Sequence, residues 1–182
     1  MTLVGELSTE SKMGEIMETL PGAKRALFAK YHLGGCSSCA FSDSETLAEL
    51  ARRSELAAGE MLDHLLASHA HDEQMVISAT EAKRRMDDGE AIRFLDIRTR
   101  EEHEAVVIPS SDFFTQDTQQ AFFALDPATF ILIYDHQGKG MLDQVAWFRG
   151  HKMNNTFGLK GGIDAWSREV DPSIQRYRLE ME

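Results

Sequence analysis

Phe130-Ile131-Leu132-Ile133-Tyr134 runs directly into Asp135-His136-Gln137-Gly138-Lys139-Gly140. An unbroken apolar run rich in β-branched and aromatic side chains, followed by glycines, predicts a buried strand that ends in a loop. A helix is expected next over 140–150, then a short extended piece over 156–159 and a helix over 163–169. Upstream, 92–97 is a second buried-strand candidate. The helix before it opens on Ser78-Ala79-Thr80-Glu81, a spacing in which hydroxyl and carboxylate each serve a free backbone amide. Asp87-Asp88-Gly89 ends that helix. Strands alternating with helices over about 105 residues predict an α/β unit with a central parallel sheet.

The first 72 residues read as all-helical. Met13, Ile16, Met17 and Leu20 fall at helical spacing, and Pro21 stops or restarts that helix. A second helix is expected over 22–32, ended by Gly34-Gly35. A third is expected over 45–53, capped by Ser42, Asp43 or Ser44, and a fourth over 58–67 with Met61, Leu62, Leu65 and Leu66 on one stripe. The polar stretch 68–74 reads as a linker. The expectation is therefore an α+β protein, with a small all-helical domain at 1–72 and an α/β domain at 73–182. A core of about 70 residues is marginal, so docking or dimerisation would help the first domain.

Composition narrows the function classes. Of 182 residues, 42% are hydrophobic and 27% charged, as in ordinary globular chains. The net charge of −11 is spread along the chain, with no acidic tail. Such a surface argues against nonspecific binding to nucleic acid or to an anionic membrane, both of which need basic patches. No apolar run approaches the roughly 20 residues that span a bilayer, and residues 1–18 lack a signal pattern. A cytoplasmic location is the expectation. The two cysteines, Cys36 and Cys39, form a C-x-x-C, which in a reducing compartment favours redox or metal chemistry over a structural staple.

Three segments carry a resemblance to the rhodanese family of sulfurtransferases. Phe94-Leu95-Asp96-Ile97-Arg98 with Glu102 and Ile108-Pro109, the strand and loop over 131–138, and Leu159-Lys160-Gly161-Gly162-Ile163-Asp164-Ala165-Trp166 resemble its motifs in order and distance over 75–170. The resemblance implies a loop whose backbone amides converge on a cysteine that carries sulfur as a persulfide. Here Asp135 stands at that cysteine. Gly140 or Met141 stands where an arginine is frequent, and Val106-Val107 replaces a glycine–histidine pair. A carboxylate cannot form a persulfide, so ordinary rhodanese catalysis is not expected. Asp135 is expected as a fixed anion in the amide cradle, as part of a retired site kept as a scaffold, or as an acyl-phosphate nucleophile. The acyl-phosphate role requires a metal or basic clamp, and only His136 and Lys139 are near in sequence. The resemblance further implies that Arg98 is structural, paired with an acid such as Glu102. Trp147 and Trp166 are expected in the core.

Gly35-Cys36-Ser37-Ser38-Cys39-Ala40, followed by Glu45-Thr46-Leu47, resembles the small helical DUF1858 family over about 8–68. This implies a redox or iron–sulfur theme without naming a reaction. Physically, one thiolate of the pair can attack and the other resolve. Alternatively the pair supplies two of the four ligands of a zinc or iron–sulfur site, which a second chain would complete in a homodimer. A purely structural role stays open. His64, His69 and His71 are expected as solvated surface. The functions that follow are a sulfur- or redox-linked accessory protein with a protein partner in that metabolism, a metal-binding module, or a non-catalytic scaffold.

Overall fold

In the computed structural model, which describes residues 3–34 and 40–178, the chain divides between Gln74 and Met75 into two units. Cys36 and Cys39 lie outside the described residues. The first unit holds α1 (Met13–Thr19), α2 (Ala23–Tyr31), α3 (Leu47–Arg53) and α4 (Ala58–Asp72). Met13, Ile16, Leu27, Leu50, Met61 and Leu65 meet in one buried cluster, as their helical spacing requires.

Two expectations for this unit need correction. The cap of α3 is Thr46, whose hydroxyl accepts the Glu49 N–H at 3.1 Å while Glu49 accepts the Thr46 N–H at 2.9 Å. The backbone just before it is already committed, since the carbonyls of Asp43 and Glu45 accept the N–H groups of Gly14 and Met13. The stretch 68–74 is no linker: α4 runs on to Asp72, and 73–75 form a 3-10 turn. No glycine or proline interrupts 68–74, and Asp72, itself buried, is tied to Arg25 of α2. An added Cβ at Gly22 would lie 2.0 Å from Asp72 Oδ2. Gly22→Ala is therefore expected to cost about 1–3 kcal/mol by overpacking, read as a lower thermal midpoint by circular dichroism. An unchanged midpoint would mean that the Asp72 side chain is free to move aside.

The second unit contains β1 (Val76–Ile77), α5 (Ala79–Asp87), β2 (Ile92–Asp96), α6 (Arg100–Ala105), β3 (Asp112–Phe113), α7 (Gln116–Phe123), β4 (Phe130–Tyr134), α8 (Leu142–Gly150), β5 (Thr156–Leu159) and α9 (Gly162–Glu169). The strands form one parallel sheet in the order β1-β5-β4-β2-β3. Every residue of the central β4 is buried. Its alternating side chains feed two cores. Ile131 and Ile133 pack with Phe122, Val145 and Phe148 of α7 and α8. Leu132 and Tyr134 pack with Ala82, Ile163 and Trp166 of α5 and α9. The sheet is thus covered on both faces, the arrangement that parallel strands demand. Trp166 is buried as expected, but Trp147 is 37% exposed and packs at a tilt against Phe123 and His151 at the surface. Among the described residues, no helix is long and apolar enough to cross a membrane.

Candidate functional site

In the sheet order, the chain leaves β2 toward β3 on one side and β4 toward β5 on the other. The carboxyl ends of β2 and β4 therefore flank the point at which the winding reverses, where open parallel sheets place their ligands. A cleft of about 420 Å3 lies there, and its walls include Arg98, Thr99, Glu102, Asp135, Gln137 and Lys139.

The loop after β4 folds around its own first residue. Asp135 Oδ1 accepts the Gly138 N–H, and Oδ2 accepts the Gly140 N–H. The Asp135 and His136 carbonyls accept the N–H groups of Ile163 and Asp164 at 2.9 and 3.1 Å, binding the loop to the start of α9. Gly138 and Gly162 make this closeness possible, both with left-handed backbones, at φ 78° and 60°. A Cβ on Gly138 would lie 2.5 Å from the Gly161 nitrogen. The convergent amides expected from the sequence are present, and a carboxylate takes them. Among the described residues, no group of three or more His, Cys, Asp or Glu is placed to hold a metal. The His136 ring is engaged by Tyr177, stacking on its ring and meeting its backbone carbonyl through Nε2 at 3.1 Å.

Arg98 is buried and pairs with Asp96, where an acid such as Glu102 is the expected partner. It donates Nε to Asp96 Oδ1 at 2.9 Å and Nη2 to Asp96 Oδ2 at 2.6 Å, with side-chain exposures of 1% and 0%. Glu102 is occupied elsewhere: it closes a capping box with Thr99 at the start of α6 and accepts the Tyr177 hydroxyl at 2.6 Å. Asp96 also accepts from the Arg98 backbone, the Tyr134 hydroxyl and His103 Nδ1. Burial alone would raise the Asp96 carboxyl, yet the hydrogen bonds from Arg98 and His103 hold it below the ordinary carboxylate value. Val106, in place of the family's glycine–histidine pair, packs on the α5–α9 core and offers its carbonyl to Arg98 Nη2 at 2.7 Å.

Sequence reasoning missed four members of this site. Buried Asp96 and Tyr134 and half-buried His103 form the hub around Arg98, and Tyr177 reaches it from beyond α9. The Tyr177 ring stacks on His136, with centroids 4.3 Å apart and planes 13° apart. Its hydroxyl accepts from Arg98 Nη1 at 2.8 Å while donating to Glu102. Burial first, then the bond to Glu102, push the Tyr177 hydroxyl up to about 12. Nothing in the sequence links Tyr177 to His136, 41 residues away.

Residues 78–169, just over half of the chain, match the family model for the rhodanese-like domain. The chain belongs to the rhodanese-like domain family. Among solved structures it is similar to a rhodanese-like domain protein from Staphylococcus aureus, with 20% identity, 57% of this chain and 98% of that one covered, and a TM-score of 0.43. It is similar also to the rhodanese-like domain of the Anabaena Alr3790 protein, with 20% identity, 59% and 89% covered, and a TM-score of 0.46. The human single-domain sulfurtransferase is a third, with 21% identity, 52% and 96% covered, and a TM-score of 0.41. No curated protein matches the chain.

Proposed function

We propose that this is a rhodanese-like protein without ordinary thiosulfate sulfurtransferase activity, an accessory to sulfur or redox metabolism whose thiol chemistry resides in the C-x-x-C. The single observation behind this reading is the Asp135 carboxylate in hydrogen bonds with the Gly138 and Gly140 amides. A group of fixed negative charge takes the donors that would otherwise stabilise a thiolate or persulfide. It has no sulfur to accept a sulfane atom. Cys36 and Cys39 are the only thiols in the chain, so any sulfur the protein carries covalently on a thiol resides on one of them. Such a protein would take sulfur or electrons from one partner and pass them to another, the second cysteine resolving the intermediate formed on the first.

The test is the transfer of sulfur from thiosulfate to cyanide by the full-length protein. Turnover is expected at the uncatalysed level. After exposure to a persulfide donor, mass spectrometry is expected to locate the added sulfur on Cys36 or Cys39. Turnover that persists in the Cys36→Ser, Cys39→Ser double variant would overturn the reading. Thiols that stay unmodified by donor and disulfide alike would remove its second half.

A further inference from the structure

The chain beyond α9 forms a strap with a fixed base and a lighter outer part. Ile174, 7% exposed, is embedded with Trp166 in the α5–α9 core, and the Ser167 hydroxyl donates to its carbonyl at 2.6 Å. Past Ile174, Arg176 forks onto Asp164 at the surface, at 2.7 and 3.1 Å. Tyr177 then enters the site. Its side chain is held by groups from three other places: the His136 ring of the site loop, the Arg98 guanidinium after β2, and the Glu102 carboxylate on α6.

A flat ring to stack on, a donor and an acceptor for one hydroxyl together specify a phenol. Nothing in that set requires the phenol to come from the same chain. We infer that Tyr177 is an internal occupant of a docking niche, and that the niche serves a segment of a protein partner carrying a tyrosine beside an arginine. The strap's own Arg176-Tyr177 shows the recognition in cis, with Asp164 pairing the cation. Residues 73–182 carry 13 Lys and Arg against 19 Asp and Glu, so the net charge of this unit favours a basic segment over an acidic one. Tyr177 also stands between two cavities. The cleft beside Asp135 and a neighbouring one of about 350 Å3, bounded by Ala105, Val106 and Gln175, share Glu102, and the Tyr177 hydroxyl sits on that residue.

Occupation in cis makes the niche self-inhibited. A tethered ligand competes at an effective concentration on the order of millimolar, and a partner sees only the fraction of molecules with the niche open. This inference goes beyond the sulfur-linked reading and uses neither Cys36 nor Cys39, so the two fail independently.

The experiment is fluorescence anisotropy of a labelled peptide with the sequence of residues 171–178, titrated with full-length protein. The Tyr177→Ala protein is expected to bind it at least about tenfold more tightly than the unaltered chain, because the internal competitor is gone. A peptide with alanine in place of the tyrosine is expected to bind neither. Equal affinity for the two proteins, or no binding to a Tyr177→Ala protein that still unfolds cooperatively, would overturn the inference. If the alanine variant does not fold, Tyr177→Phe carries the test, since it keeps the ring and loses both hydroxyl bonds. It is expected to bind the peptide more tightly than the unaltered chain, and equal binding would count against the niche.

Discussion

Arg98→Ala is expected to lower the unfolding free energy of the rhodanese-like unit by about 3–5 kcal/mol, the range found when one member of a buried ion pair is removed. The reason is what remains. Asp96, with no exposed surface, would keep its charge while losing the guanidinium that neutralises it. The Val106 carbonyl and the Tyr177 hydroxyl would lose a donor in the same step. Both tryptophans, Trp147 and Trp166, belong to this unit, so their fluorescence in a urea titration reports on it. A loss under about 1 kcal/mol would mean that water reaches the hub and that the pair is not buried in effect.

The same variant should change the response to acid. Hydrogen bonds hold the Asp96 carboxyl below its ordinary value against the opposing effect of burial. A carboxylate with a depressed value in the folded state contributes stability that is present above the ordinary carboxylate range and is lost as pH falls through the folded value. Without Arg98, the desolvation that raises the group is no longer outweighed to the same degree. The stability gap between Arg98→Ala and the unaltered protein is therefore expected to narrow as pH falls through the acid range, because the variant no longer loses this contribution when Asp96 is protonated.

Gly162→Ala is expected to cost about 2–4 kcal/mol, combining the penalty for a left-handed backbone with a steric conflict. Its added Cβ would lie 2.4 Å from the Asp135 carbonyl oxygen and 2.5 Å from that of His136. Both are backbone atoms already accepting the N–H groups of Ile163 and Asp164, so relief requires the site loop to come away from α9. Gly89→Ala is the control. That glycine also has a positive φ, of 90°, but open space around it, and its replacement is expected to cost only about 1–2 kcal/mol. Equal losses in the two variants would show that the loop yields without resistance and that its closeness to α9 does not hold the Asp135 cradle together.

The sequence by itself determined that β4 is a buried strand of an α/β unit, because five consecutive apolar residues followed by a glycine-bearing loop match that pattern. It determined that Asp135 cannot carry sulfur, since that follows from the atoms of one side chain wherever it sits. It also located the helices of the first unit, whose apolar spacing is a local property. Only the tertiary structure decided the rest. The two-residue strands β1 and β3 exist because β5 and β2 lie beside them, not because of any periodicity of their own. Arg98 takes Asp96 in preference to Glu102, since Glu102 caps α6 and receives Tyr177. Tyr177 joins the site from the far end of the chain, through contacts that arise only when α9 folds back onto the sheet. Local pattern encodes what a segment becomes; which buried charge meets which partner depends on distances that exist only after the strands are stacked.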